Sequence, residues 1–362
     1  MQGRAKKARA QPKHRFGHLY EWLDEAYLRE GWDDLRKDAA SGVDHVSAEA
    51  YEQQLAENIH DLVERLKGQR YRAKRVKRRD IPQGNGQRRP LGIPAVEDKL
   101  LQRAVARLRE AIDEQDFRRG RDGYRPNVGA LDAVDTLTST LQFGPSHVVV
   151  EADIQGVFDN IQHAWLIRML QERVEDGALL RLIRKWLQAG VLETDGQVMH
   201  PATGTPQGGV ISPILANVSL HDALDLGLQQ VVKPRCRGEA CLIRYADDGV
   251  AAFQDQAEAD RFDQELGRRL GKCGREVAPE KTRGMPFPHP QSRGRTSFAF
   301  LGFEFRWGPN RAGQPPLQRR TARKKRRNAL KRFTAWCRDT CRRRVRDVCR
   351  DLNAKLRGYD RY

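Results

Sequence analysis

Apolar positions recur along this chain with two periods, and the switches between them outline its elements. Leu55, Ile59, Leu62 and Leu66 fall three or four apart, so residues 47–67 are expected to form an amphipathic helix that Gly68 ends. Leu100, Leu101, Val105, Leu108 and Ile112 mark another helix, and residues 20–36 allow a further one. Residues 71–81 and 88–93 read as strands joined by the turn Gly84-Asn85-Gly86. Val148-Val149-Val150 is long enough for a buried strand; Asp153 follows at its end and Gly156 breaks the pattern. A helical stretch then runs through Leu166, Met169 and Leu170, helices continue to about Gly190, and a hairpin is expected over 191–199. After a loop to Gly209, Ser212-Pro213 offers an N-cap serine and a proline at the first helical position. Ile214, Leu215, Val218, Leu224 and Leu226 would form the apolar side of that helix. The runs Cys241-Leu242-Ile243 and Val250-Ala251-Ala252-Phe253 flank Tyr245-Ala246-Asp247-Asp248 as strands flank a hairpin tip. Beyond Pro315-Pro316 the chain reads as basic helix, with Phe333, Trp336, Val345, Val348 and Leu352 as its apolar contacts.

The hairpin tip changes the picture from fold to chemistry. Asp247 and Asp248 are adjacent carboxylates that repel each other, and a divalent cation relieves that repulsion; hard oxygen ligands suit Mg²⁺. Two-metal phosphoryl transfer needs a further carboxylate close by. Asp153, at a strand end, is the candidate, although a lone acid there is more often a solvated strand end or a cap.

Composition supplies the partner. At 362 residues the chain can bury one large core with room for an appended module. Its net charge of +18 implies a polyanion, most simply a nucleic acid. The charge is clustered: an N-terminal group from Arg4 to Arg15, a block from Arg70 to Arg79, and fourteen Lys or Arg against one acid, Asp339, between Leu317 and Arg346. Such runs can be solvated faces or disordered arms, but three of them on so basic a chain favour phosphate binding. The six cysteines form no Cys-x-x-Cys pair, which points to reduced thiols rather than a zinc or disulfide framework. No apolar run reaches membrane-spanning length and no signal peptide is evident, so a cytoplasmic protein is expected.

Six motifs follow one another along the chain: Arg89-Pro90-Leu91-Gly92-Ile93-Pro94, Asp153 to Ile161, Thr205-Pro206-Gln207-Gly208-Gly209 with Ser212-Pro213, Tyr245 to Asp248, Pro279-Glu280-Lys281-Thr282, and Phe300-Leu301-Gly302-Phe303. This series resembles the reverse transcriptases encoded by bacterial group II introns, from about Gly42 to the C-terminus. The resemblance implies an α/β (α+β) fold: a right-hand polymerase with fingers and palm on an RRM-like antiparallel sheet with helices, and a helical thumb. It divides the chain into a basic N-terminal region (1–41), fingers and palm (42–305) and a basic thumb or maturase segment (306–362). Leu352 to Tyr359 resembles a motif that lies inside that domain in relatives, so a shortened thumb is expected, with no trailing HNH nuclease module. Two departures stand out: His45 occupies a position where the family commonly has Gly, and Gln83 one where it often has Lys.

The same resemblance assigns roles. Asp153, Asp247 and Asp248 are implied to hold two Mg²⁺ ions (Mn²⁺ as a substitute), with the Ile154 carbonyl as a further ligand. Phe158 would be the steric gate that favours dNTPs over rNTPs, where sequence alone allows an ordinary core Phe. Arg89 would grip the triphosphate and Gln207 would touch the incoming nucleotide, where sequence alone allows a plain helix lead-in. Lys281 could protonate the pyrophosphate as a general acid, although a lysine at a helix end is more often just solvated. Gly302 and Phe303 would form the primer grip. The implied activity is RNA-directed DNA synthesis on an RNA template and primer strand, together with binding of structured intron RNA and promotion of its splicing. Two other readings stay open: a reverse transcriptase co-opted for antiviral defence or a CRISPR system, and a non-catalytic RNA-binding splicing factor, against which the three acids argue. Phe158 opposes an RNA-dependent RNA polymerase.

Overall fold

The computed structural model describes residues 2–82, 88–117, 120–154, 156–272, 284–288, 296–308 and 316–360. Helix α1 (Gln2–Ala10) leads a segment that is tied to the body. Arg173 donates to the carbonyls of Ala8, Gln11, Pro12 and His14 at 2.7–3.2 Å. The helix expected over 20–36 is shorter. Asp24 accepts from the Tyr27 N–H at 2.8 Å and so fixes the start of α2 (Glu25–Asp33). The helix expected over 47–67 is two: α3 (Ala48–Glu52), capped by Ser47, and α4 (Leu55–Lys67). His45 itself takes φ +58°, the left-handed conformation that glycine adopts most readily, so the turn there keeps a left-handed residue without the glycine.

β1 (Val76–Pro82) and β2 (Arg88–Ile93) pair antiparallel. Gln83 and the turn at 84–86 lie outside the described residues. α5 (Val96–Asp113) buries Leu100, Leu101, Val105, Leu108 and Ile112 as the spacing predicts. After β3 (Arg121–Asp122) come α6 (Ala130–Phe143), β4 (Val148–Asp153), α7 (His163–Gln171) and α8 (Gly177–Leu187). β5 (Val191–Leu192) and β6 (Val198–Met199) form the expected hairpin, and β5 joins β1, giving a four-stranded sheet in the order β2-β1-β5-β6. The helices up to α5, with α7, α8 and α9 (Ser212–Leu220), share one apolar core.

Two details of α9 differ from the expected pattern. Ile211, not Ser212, holds the cap position; Ser212 is the first helical residue, and its hydroxyl donates to the Pro206 carbonyl at 2.9 Å. The preceding loop thus takes the hydroxyl that would have capped the helix. Beyond Leu220 the chain widens into π-helical stretches at His221–Asp225 and Leu228–Val232, closed by bonds from Leu226 N to His221 O and from Lys233 N to Leu228 O. The wider turn shifts the phase, so Asp225 is buried while Leu226, expected on the apolar side, is half-buried.

β7 (Ala240–Tyr245) and β8 (Asp248–Phe253) form the central hairpin, followed by α10 (Gln256–Lys272) and β9 (Gly284–Pro286). The resulting five-stranded sheet has the order β3-β7-β8-β4-β9, antiparallel except for the β3–β7 pair. Its strands read as continuous apolar runs because both faces are covered. Val148, Val150, Leu242, Ala251 and Phe253 face α10 and the π-helical stretches. Val149, Ile243, Val250 and Ala252 face α6 and a second sheet formed by β10 (Ser297–Phe300), β11 (Phe303–Trp307) and β12 (Leu317–Thr321). The basic tail folds as α11 (Arg323–Thr340) and α12 (Val345–Asp360), where Phe333 contacts Trp336 and Lys355 lies over the Trp336 ring.

Candidate active site

The acidic tetrapeptide forms a hairpin with a two-residue turn. Tyr245 pairs with Asp248, leaving Ala246 and Asp247 as the turn residues. Ala246 takes φ +56°, a positive value of the kind tight hairpins require. An alanine does not hold that conformation unaided, and three neighbours fix it. The Ala246 N–H donates to the Asp122 carbonyl at 3.1 Å, and its carbonyl accepts from Arg244 Nη1 at 2.9 Å. Gly123, at φ +84°, lies so close to the turn that any Cβ there would overlap Ala246 N and stand 3.0 Å from the Tyr245 carbonyl carbon.

The third acid arrives through the sheet. β4 runs antiparallel to β8 with Asp153 opposite Asp248, so the backbone positions of all three carboxylates meet at one end of the two central strands. Asp248 is exposed and Asp247 half-buried. Both line a cleft of about 680 Å³ with Arg89, Tyr124, Gly302 and Lys325. Asp247, Asp248, Tyr245 and Glu151 contribute only oxygen donors there, and among the described residues no His or Cys lines the cleft. That donor chemistry fits a hard divalent cation rather than zinc. Burial, and next the Asp247 carboxylate, push the Tyr124 phenol above its ordinary pKa.

The residues expected to meet the nucleotide are laced to the same region. Arg89 Nε donates to Gln207 Oε1 at 3.0 Å, and Gln207 Nε2 donates to the Asp159 carboxylate at 3.2 Å. The 203–209 loop is pinned to the 158–161 turn by bonds from Thr205 N to Phe158 O and from Gly204 N to Ile161 O, at 2.7 and 2.8 Å. Gly92 N donates to the Gln207 carbonyl at 2.5 Å, joining this loop to β2. Phe158 is buried behind the cleft rather than lining it, and meets the half-exposed Tyr124 edge to face at 5.9 Å. The Ile154 side chain is buried in the core behind the sheet.

On the far side of the cleft, Phe300 pairs with Phe303 across the two-residue turn Leu301-Gly302, both at positive φ. Ala299 N donates to Glu151 Oε1 at 3.2 Å, fixing this hairpin to β4. The Gly302 carbonyl accepts from Ala322 N at 2.9 Å, and the Lys325 chain of α11 lies against Gly302. The structure thus brings Arg89, Gly302, Asp247 and Asp248 around one cleft, with Gln207 bonded to Arg89 and Phe158 behind Tyr124. Lys281 lies outside the described residues, as does the Asp153 side chain. Sequence reasoning missed Tyr124, Asp159, Lys325 and the buried Arg244. The last carried a signal: a charge inside a strand, between the core residue Ile243 and the half-buried Tyr245.

A family model described as reverse transcriptase (RNA-dependent DNA polymerase) matches residues 76–305, more than half of the chain. The group II intron-encoded protein LtrA of Lactococcus lactis subsp. cremoris is 39% identical over 178 residues, covering 49% of this chain and 29% of that protein. Protein YkfC of Escherichia coli (strain K12) is 34% identical over 184 residues, 50% of this chain and 48% of YkfC. An uncharacterized 91 kDa protein in the cob intron of Schizosaccharomyces pombe is 35% identical over 163 residues, 45% of this chain and 20% of that protein. The chain spans less than half of each of these relatives.

Proposed function

This chain belongs to the reverse transcriptase (RNA-dependent DNA polymerase) family, and we propose on that premise that it copies RNA into DNA at the cleft above Asp247 and Asp248. The observation that carries the proposal is the register: Asp153 and Asp248 oppose each other on adjacent strands, and Asp247 forms the turn between β7 and β8. Asp153, Asp247, Asp248 and the Ile154 carbonyl would hold two Mg²⁺ ions. When bound, such ions lower the pKa of a primer hydroxyl and stabilise a departing pyrophosphate.

The chain's own residues bind and orient. Arg89 presents a planar guanidinium to the triphosphate, held by Gln207 so that its Nη atoms can face the cleft. Gln207 and Asp159 keep the loop closed on β2, where the nucleotide would sit. Phe158 lies behind the Tyr124 ring that lines the cleft, and by backing that ring it would leave no room for a 2′-hydroxyl. The turn at Gly302 and Phe303 would support the primer strand beside Lys325, and Lys281 would supply the proton to the leaving pyrophosphate.

Its partners in this reading are an RNA template, a primer strand and dNTPs. The kinship with intron-encoded proteins supports binding of structured intron RNA and a maturase role, with the basic helices of 306–362 as the thumb and 42–305 as fingers and palm. Among the described residues no helix is long and apolar enough to cross a membrane, and the bacterial relatives support work in the cytoplasm or nucleoid. Primer extension on an RNA template, with dNTPs and rNTPs compared in Mg²⁺, tests the proposal. Template-dependent extension with dNTPs supports it; no extension under any divalent metal refutes it.

A further inference from the structure

Directly beneath the acidic turn lies a buried polar cluster drawn from four elements. Arg244 of β7 is 1% exposed, and Asp225 and Asn217 are each 3% exposed. Arg244 grips the Asp225 carboxylate with two bonds, Nε to Oδ1 at 3.1 Å and Nη2 to Oδ2 at 2.8 Å. Its remaining terminal nitrogen, Nη1, donates to Asn217 Oδ1 at 3.2 Å and to the Ala246 carbonyl at 2.9 Å. Asn217 Nδ2 donates in turn to the carbonyl of Gly123, the residue against which Ala246 rests. Arg121 of β3 pairs with Asp225 at 3.1 Å and donates to the Leu242 carbonyl at 2.7 Å, and His221 Nδ1 lies 3.4 Å from Asp225.

The π-helical stretch makes this possible. In an α-helix, turning about 100° per residue, positions 217 and 225 would face directions about 80° apart. A π turn advances by roughly 80° per residue, so five such residues take back about 100° and bring Asp225 to within about 20° of the face of Asn217. The local rule is broken where two polar side chains must reach one arginine. Two burdened features, a widened helix and a cation in a doubly covered strand, meet at a single carbonyl of the acidic turn.

We propose that Asp225 and Asn217 are positioning residues for the acidic hairpin: through Arg244 and Gly123 they fix Ala246, and with it the metal-holding carboxylate of Asp247. This rests on the reading of Asp247 as a metal ligand. Neither residue lines the cleft, so neither is expected to touch nucleotide or primer. Their loss should act on turnover and metal affinity, and leave substrate binding alone.

The test compares full-length wild type with Asp225→Asn, Asp225→Glu and Asn217→Ala. Asn217→Ala leaves the buried ion pair intact and keeps the question answerable if Asp225→Asn does not fold. Primer extension gives kcat and the dNTP KM per folded molecule, and Mn²⁺ titration followed by electron paramagnetic resonance gives metal affinity without turnover. A turn displaced by about 1 Å is expected to lower kcat about a hundredfold. KM should stay within a few fold, Mn²⁺ should bind several-fold more weakly, and Asp225→Glu should recover part of both losses. Folded Asp225→Asn or Asn217→Ala with unchanged kcat and Mn²⁺ affinity would overturn the proposal. If wild type itself extends no primer, the catalytic reading fails, and the Mn²⁺ comparison alone decides positioning.

Discussion

Replacing Gly123 and Gly302 with alanine separates two kinds of constraint around the cleft. Both glycines sit at positive φ, +84° and +86°, so each alanine costs about 1–2 kcal/mol in backbone strain. They differ in what the new methyl meets. At Gly302 it meets the far end of the Lys325 side chain, a flexible chain that yields more readily than backbone. At Gly123 it meets the backbone of the acidic turn, with the Tyr245 carbonyl carbon at 3.0 Å and Ala246 N closer still. Ordinary carbon contacts begin near 3.5 Å, so the turn must recede by roughly 1 Å. Forcing that shift adds about 1–3 kcal/mol. With roughly 2 °C per kcal/mol in a chain of this size, Gly302→Ala should lower Tm by about 2–4 °C and Gly123→Ala by about 4–10 °C. The displaced turn carries Asp247, so Gly123→Ala should also lose about a hundredfold in kcat, while Gly302→Ala acts on the primer KM. Thermal unfolding and primer extension of both variants measure this. Equal Tm shifts with normal kcat for Gly123→Ala would refute the claim that Gly123 seats the acidic turn.

Other perturbations address the neighbouring residues. Phe158→Ala should raise the rNTP-to-dNTP ratio of kcat/KM at least about tenfold; this ratio is independent of the folded fraction, so single-nucleotide incorporation reads the gate even though losing a buried ring lowers stability. Arg89→Ala should raise the dNTP KM by roughly tenfold to a hundredfold, the worth of a charge-assisted hydrogen bond, with primer–template affinity measured separately and little changed. Away from the cleft, Asp98 accepts from the Tyr71 hydroxyl and from Lys74 N, and burial pushes its carboxyl up to about 6. Between about pH 4 and pH 6 the folded chain therefore holds a proton that the unfolded chain has lost. Stability should fall as pH rises through that window, by up to about 3 kcal/mol. Asp113, also pushed up to about 6 by burial, adds a slope of the same sign. Asp98→Asn should flatten the profile from denaturant unfolding, and an unchanged slope would remove Asp98 as its source.

How much of this was legible in the sequence follows from range. The acidic hairpin, the β1–β2 pair and the apolar side of α5 rest on spacing within a few residues, and there the pattern reads directly. The motifs of residues 89–94, 205–209 and 300–303 were visible as separate segments. That Arg89 and Gln207 bond to each other needed the packing of β2 on a loop more than a hundred residues away. Asp225 was unreadable for a different reason. Alpha-helical periodicity assigned Leu224 and Leu226 to the apolar side, and the π turns moved that side by one residue. Arg244 stood in plain view between Ile243 and Tyr245, but a strand covered on both faces offers a cation no partner until a distant carboxylate is brought to it. Ser212 failed as a cap because its hydroxyl was already engaged by Pro206 and Thr205.

On the proposed mechanism Asp247 serves chemistry and not RNA binding. Wild type and Asp247→Asn, compared side by side for primer extension on an RNA template in Mg²⁺ and for affinity to that primer–template, test it most directly. Extension should be abolished in Asp247→Asn while affinity stays within a few fold. Equal extension by the two proteins would contradict it.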